Sequence, residues 1–277
     1  MPELPEVEFG RRQLEATLVG ETIRGVDVVE DSIVFEGVPA ATVIAALRDT
    51  TVLGAHRRGK HLWLSLDRRP WPSFHFGMTG GFVTPDAPGL QLHTGPSLDA
   101  KWPPRFAKLV LTTASGRRLC MTNARRLGRI RLRDDPSAAS PIAELGFDPL
   151  LDPPTPAELH ELLAKRRGTL KGLLLDQSFA AGVGNWVADE VLHAAGLDPR
   201  RRADGLDAVE AKRLAHALVR VVKRAVDVDA NADRYPKGWL FHRRWSPGEG
   251  VTTTSGDPIE FITVAGRTTA WVPSRQR

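Results

Sequence analysis

The chain has 277 residues, with 38 Lys and Arg against 33 Asp and Glu, a formal net charge of +5 and a hydrophobic content of 42%. That length buries an ample core and accommodates two domains, and the composition is that of a globular chain. A single cysteine, Cys120, excludes an intramolecular disulfide and a multi-cysteine zinc site. No apolar run is long enough to cross a bilayer and no signal peptide is visible. The expectation is a soluble intracellular protein, cytoplasmic or nucleoid-associated, with no membrane partner.

The chain begins Met1-Pro2-Glu3-Leu4-Pro5-Glu6. A small residue after Met1 makes its removal expected, which leaves the secondary amine of Pro2 beside a carboxylate. An α-amino group titrates at roughly 7.7–8, so part of it is unprotonated at neutral pH. Attack of such an amine on an aldehyde-level carbon gives a cationic iminium, a strong electron sink. Glu3 would donate or accept the accompanying proton. The same residues serve equally well to stiffen the start of a helix. Leu4, Val7, Leu14 and Leu18 recur at helical spacing and predict a helix over residues 5–19, with Pro5 in its first turn and Gly20 ending it.

Short apolar runs follow at residues 22–29, 51–55, 61–66, 73–76, 107–112, 117–122 and 129–132, with a helix at 40–47 between them. Their β-branched content predicts a sandwich or barrel of strands. Cys120 lies in the apolar stretch Leu119-Cys120-Met121 and reads as a buried structural thiol. Residues 84–104, rich in Pro and Gly, read as an exposed loop. Five prolines within residues 134–154 predict a linker. Beyond it the pattern turns helical. Thr155-Pro156-Ala157-Glu158 is a capping box opening a helix towards Lys165, and further helices are predicted over 169–176, 186–195 and 206–228. Residues 259–264 and 268–272 flank Ala265-Gly266-Arg267 as a tight hairpin.

The basic residues are clustered. Arg57, Arg58 and Lys60 form one group, Lys165, Arg166, Arg167 and Lys171 another, and five arginines fall between Arg125 and Arg133. From Arg234 to Arg277 seven Lys and Arg face three Asp and Glu. A charge cluster is ordinarily a solvated face, but several in separate elements of a basic protein point to nucleic acid.

Five motifs in order carry a family resemblance. Pro2-Glu3-Leu4-Pro5-Glu6-Val7-Glu8 resembles the N-terminus of the Fpg/Nei DNA glycosylases, nearest to the formamidopyrimidine-DNA glycosylase branch. Arg57-Arg58-Gly59-Lys60-His61-Leu62 is similar to the family's lysine-bearing turn. His75-Phe76-Gly77-Met78-Thr79-Gly80 looks like its His-x-Gly-Met element, and Asn123-Ala124-Arg125-Arg126-Leu127-Gly128 resembles its Asp-Pro-Arg-Arg-Phe-Gly loop. Gly182-Val183-Gly184-Asn185 with Ala188-Asp189-Glu190 resembles its helix–two-turns–helix signature. The implied fold is α+β: an N-terminal β-sandwich with a leading helix, and a C-terminal helix–two-turns–helix domain ending in a β-hairpin finger. The implied divisions are a catalytic domain over 1–133, the linker over 134–154, the helical domain over 155–230 and the finger over 231–277.

The resemblance implies a monomeric, bifunctional glycosylase and abasic-site lyase of base excision repair, acting on damaged double-stranded DNA by β,δ-elimination. Pro2 would be the nucleophile, Glu3 the proton donor or shuttle, Glu6 would order the N-terminus, and Lys60 would hold a phosphate. Such an enzyme flips the damaged nucleotide out and fills the gap with apolar or flat cationic side chains. Met78, Arg125 and Leu127 stand at those wedge positions, Leu127 where the family usually has phenylalanine. His75, Asn185 and Arg267, with Lys60, match the phosphate clamp, and Lys171 matches a lysine linked to handling of the damaged base. Read alone, Met78 is a core residue, Asn185 an N-cap and Lys171 a surface lysine.

Two departures stand out. Residues 248–277 contain no cysteine, so the finger is expected to be zincless, with no metal and no cofactor, like that of plant relatives. Ile259, Phe261, Ile262, Trp271 and Val272 would pair across the strands and against Trp239, Phe241 or Trp245 instead. Residues 229–237 are too short and polar for the glycine-rich loop that covers flipped 8-oxoguanine in many bacterial relatives. Formamidopyrimidines and hydantoins are therefore expected to be better substrates than 8-oxoguanine. The competing reading is a non-catalytic damaged-DNA or structure-specific DNA-binding protein; a ribosomal-type RNA-binding protein would lack the N-terminal β-domain and the finger.

Overall fold

The computed structural model describes residues 1–86, 89–90, 101–248 and 250–277. Two compact units result, Met1–Glu144 and Leu145–Arg277. The first opens with helix α1 (Leu4–Leu18), which has a proline in its first turn and buries Leu4, Val7, Leu14 and Leu18. A short helix, α2 (Ala40–Leu47), follows strand β1 (Thr22–Val28). The remaining strands are β2 (Thr50–Arg58), β3 (His61–Leu66), β4 (Trp71–His75), β5 (Gly81–Val83), β6 (Ala107–Thr113), β7 (Arg118–Thr122) and β8 (Arg129–Arg133).

These strands run in the order β5-β7-β6-β1-β2-β3-β4-β8. Strands β1 and β2 pair only at Thr22–Thr51 and Ile23–Thr50, so the ladder turns a corner there. Its two halves share one core. Leu62, Leu64, Phe74 and Ile130 from one half meet Phe82, Leu109, Leu111 and Met121 from the other, with Phe74 edge-on to Phe82 at 5.4 Å. That is a sandwich. The Cys120 thiol is buried, which pushes its pKa up to about 12 and leaves it a structural group.

Strand β5 is absent from the sequence reading, because three residues, the first of them the second glycine of Gly80-Gly81, carry too little periodicity to register. Strand β2 runs past its apolar stretch through His56-Arg57-Arg58, which pairs with Trp63-Leu62-His61 despite being polar. The loop expected over residues 84–104 lies largely outside the described residues.

The second unit contains α3 (Pro156–Ala164), α4 (Leu170–Leu175), α5 (Asn185–Ala195) and α6 (Ala208–Asp227), then the ribbon β9 (Glu260–Val264) and β10 (Arg267–Trp271). The predicted capping box forms at Thr155–Glu158, and one the sequence reading did not name forms at Asp207–Glu210. The expected linker is only partly extended. Two 3-10 turns (Pro136–Ala138 and Ile142–Glu144) end the first unit. The stretch after Glu144 joins the second, where Gly146 N–H donates to Gln177 O at 2.9 Å and Phe147 packs edge-on against Phe179 at 5.3 Å. Among the described residues no helix is long and apolar enough to cross a membrane.

Candidate active site

In the first unit the N-terminal residues are packed down. Pro2 and Glu3 are buried, and the Glu3 N–H donates to Glu6 Oε2 at 2.9 Å, which fixes the first turn of α1. Beside them lies a small open cleft lined by Pro2, Glu6, Phe9, Gly10, Phe76 and Phe82, among others. Burial raises the Glu6 carboxyl to about 7, and the Glu3 carboxylate next to it pushes in the same direction. The terminal amine, on Met1 in the full sequence, is lowered by burial. Glu3 and Glu6 act against that shift, while Lys60 and Arg125 add to it. One amine, two carboxyls and two cations therefore feel one another here.

Lys60 is buried and occupies, with Gly59, the two-residue turn between paired Arg58 and His61. Arg57 explains how that turn is held. Its Nε donates to Glu8 Oε2 at 2.8 Å and its Nη1 to Gly59 O at 3.1 Å, which ties the turn to α1. Arg57 is thus a buried structural cation, and the basic cluster read from the sequence is only partly a surface.

His75 ends β4 with its ring 4.8 Å from that of His61. Burial lowers His75 to about 4 and His61 to about 3, and neighbouring cations add to both shifts. Both are neutral at pH 7. The Gly77 N–H donates to His75 Nδ1 at 3.2 Å, so the neutral ring carries its proton on Nε2, a donor suited to an anionic oxygen.

The two expected wedge segments are packed together in the same unit. Gly77 has φ +62, and a Cβ there would lie 2.4 Å from the Leu127 carbonyl, so only glycine permits this approach. Asn123, fully buried, donates to Phe76 O at 2.9 Å and accepts from Gly128 N–H at 3.1 Å. Arg125 N–H donates to Thr79 Oγ1 at 3.3 Å. Met78 is half-buried, and Arg125 and Leu127 are exposed. Asn123 is a residue to which the sequence assigned no role beyond its place in the motif. Of the five clustered arginines, Arg126 is paired with Asp31, and Arg129 and Arg131 with Glu36.

In the second unit Asn185 is the first helical residue of α5, with Gly184 as the N-cap. Its Nδ2 donates to Thr268 O at 3.0 Å, and its Oδ1 is buried without a hydrogen-bond partner among the described residues. Arg267 opens β10 after a two-residue turn in which Ala265 and Gly266 both have positive φ, and it is exposed. Lys171 is fully buried rather than on a helix surface. Its ammonium donates to Asp189 Oδ1 at 2.5 Å and Thr269 Oγ1 at 2.7 Å. Asp189 also accepts from Arg244 Nη2 at 2.8 Å and Ala270 N–H at 3.2 Å. One buried carboxylate therefore joins α4, α5 and the ribbon.

The finger's residues do not fit a metal. Val272 is buried with its N–H on Gln276 Oε1 at 2.7 Å, and Arg275 pairs with Asp257 at 2.6 Å. Among the described residues no group of three or more His, Cys, Asp or Glu is placed to hold one. The apolar packing is also arranged differently from the expectation. Ile259, Ala270 and Val272 close on Leu240, with Phe261 and Val251 beside them. Phe241 lies edge-on to Trp186 of α5, to Tyr235 and to Trp245, at 4.9–5.2 Å.

The described formamidopyrimidine-DNA glycosylase N-terminal domain matches residues 1–130, and the H2TH domain of the same enzymes matches residues 145–236. The chain is 39% identical over its whole length to the formamidopyrimidine-DNA glycosylase of Arabidopsis thaliana, of which it covers 71%. It is 36% identical to the enzyme of that name from Thermus thermophilus, covering 98% of it. The crystal structure of the Lactococcus lactis enzyme non-covalently bound to DNA containing an AP site has the same fold, with a TM-score of 0.79 at 24% identity over 99% of each chain. The chain belongs to the Fpg/Nei family of DNA glycosylases.

Proposed function

We propose that this chain is a formamidopyrimidine-DNA glycosylase of DNA repair that also cleaves the strand at the abasic site. The observation that carries the reading is the packed N-terminus, where Pro2 and Glu6 line a cleft and the terminal amine feels the charges of Glu3, Glu6 and Lys60. With Met1 removed, the Pro2 nitrogen attacks C1′ of the flipped nucleotide and the base leaves with the bonding electrons. Glu3 supplies the proton that opens the sugar ring. Glu6, whose carboxyl is raised by burial, orders the terminus by accepting the Glu3 N–H. The iminium acidifies C2′, whose proton is lost as the 3′ phosphate leaves, and a second elimination releases the 5′ phosphate. Lys60, His75 through its Nε2 proton, Asn185 at the start of α5 and Arg267 at the ribbon turn are the phosphate contacts. Met78, Arg125 and Leu127 fill the vacated stack. Lys171 acts from the interior, holding the ribbon that carries Arg267.

Formamidopyrimidines and hydantoins are the favoured substrates, with 8-oxoguanine weaker. Supporting this, the segment after α6 is folded tightly on itself: Ala230 is buried, Ala232–Arg234 form a 3-10 turn, and Tyr235 packs on Trp186. No length is left for a covering loop. Comparable single-turnover rates on 8-oxoguanine and formamidopyrimidine duplexes contradict that preference. Borohydride trapping on abasic DNA tests the reaction: a covalent complex that is lost in Pro2→Gly supports it. Trapping that survives Pro2→Gly but vanishes in Lys60→Ala moves the nucleophile to Lys60, and no trapping favours a binding protein.

A further inference from the structure

Asp31 lies in the loop after β1, far in sequence from every motif above, and is buried. Its carboxylate receives five hydrogen bonds. Arg126 clasps it with Nε at 2.9 Å and Nη2 at 3.0 Å, Lys108 Nζ approaches at 2.8 Å, and the N–H groups of Ile33 and Val34 donate at 3.1 and 3.2 Å. The Phe35 N–H returns to Asp31 O at 3.0 Å, and Val34 O accepts from Ile130 N–H of β8 at 2.8 Å. The carboxylate is therefore locked into a turn that is itself fastened to the strand following the arginine loop.

Arg126 is the middle residue of Arg125-Arg126-Leu127 and has φ +55, a left-handed conformation that a non-glycine residue adopts only when its surroundings enforce it. The backbone of that loop is pinned before and after by Asn123 and Thr79. Between those pins, the side-chain anchor is the bidentate Arg126–Asp31 pair, a planar fork whose geometry fixes direction as well as distance. Reversing the Arg126 backbone sets the directions in which its two exposed neighbours project.

We propose that Asp31, acting through Arg126, positions Arg125 and Leu127 against the unpaired base opposite the lesion, and so sets the opposite-base preference. This rests on the wedge roles given under the proposed function. Asp31 touches no substrate; it is a positioning residue. Lys108 shares the same carboxylate without belonging to the loop, and so separates loop positioning from general electrostatic support.

The test compares Asp31→Asn and Lys108→Met with the parent on duplexes whose abasic site faces each of the four bases or a second abasic site. A 2-aminopurine opposite the site reports insertion. Asp31→Asn keeps an acceptor for the backbone N–H groups and loses the charge that holds the guanidinium. The spread of single-turnover rates across the four partner bases should collapse by about tenfold, the scale of one charge-assisted hydrogen bond. The 2-aminopurine signal should fall with it, while rates opposite the second abasic site change least. Lys108→Met should retain the parental spread. Equal slowing on all five duplexes in Asp31→Asn, or the same collapse in Lys108→Met, overturns the inference by reducing Asp31 to a stability role. Absence of borohydride trapping in the parent overturns the proposed reaction instead, and this inference with it.

Discussion

Two cations stand at two hairpin turns in this molecule, and they are held in opposite ways. Lys60 sits within the turn between β2 and β3, inside an eight-stranded ladder with a large apolar core beneath it. Arg267 follows the turn of a two-stranded ribbon, an element that is marginal alone in water. The first is tied to α1 through Arg57, which donates to Glu8 and to the Gly59 carbonyl. The second depends on a buried carboxylate that collects Lys171, Arg244 and the Ala270 N–H, together with an aromatic cluster centred on Phe241. A sheet supplies rigidity through its neighbours; an isolated ribbon without a metal must import it from the helix beside it.

The largest effect that would break this comparison is at Asp189. Asp189→Ala leaves two buried cations without their shared anion, and such a loss costs about 3–5 kcal/mol. Chemical denaturation should show that loss, and amide exchange should show the ribbon opening before α1 and the β2–β3 turn. A loss under 1 kcal/mol would mean that the aromatic packing alone holds the ribbon.

A pH series sharpens the contrast next. Glu6 in the first unit is raised from 4.5 to about 7 and Glu190 in the second to about 8, each chiefly by burial. A carboxyl raised in the folded state keeps a proton that the unfolded chain gives up. Its stabilising contribution is complete below pH 4.5 and is lost as pH rises through the folded value. Glu6→Gln should therefore flatten the decline up to about pH 7, and Glu190→Gln the decline up to about pH 8. His61 and His75, lowered to about 3 and 4, give the opposite limb, complete above 6.5 and lost as pH falls through those values. Titrating stability in both variants and finding both slopes unchanged would refute these assignments.

The smallest effect concerns the ribbon turn itself. Ala265 has φ +50, and relieving that left-handed conformation with Ala265→Gly should raise stability by up to about 1 kcal/mol, since the strain is of that order. A lower melting temperature would show that the alanine methyl, whose Cβ lies near Gly172 of α4, contributes more by packing than it costs in strain.

How much of this was legible in sequence depends on distance along the chain. Helix α1, the capping box at Thr155 and the hairpin about Ala265-Gly266 are local patterns, and the chain states them within a few residues. Strand β3 likewise appears with the bounds its apolar alternation predicts. What the sequence does not display are partners that folding brings together. Asp31 meets Arg126 across 95 positions and Asp189 meets Arg244 across 55, and neither acid carries a periodic or motif signal for that pairing. Burial was hidden for the same reason: Lys171 and Arg57 look like surface cations until their anions are located. The candidate site followed the same rule. Pro2, Glu3 and Lys60 were named by motif, whereas the tautomer of His75 and the pinning role of Asn123 needed three-dimensional neighbours.

The central claim is that the terminal amine of Pro2 is the nucleophile. Borohydride reduction on abasic DNA, followed by proteolysis and mass spectrometry of the crosslinked peptide, tests it most directly. The account predicts a sugar adduct on the peptide that begins at Pro2, with Met1 absent. An adduct on Lys60, or on a chain that still carries Met1, would contradict it.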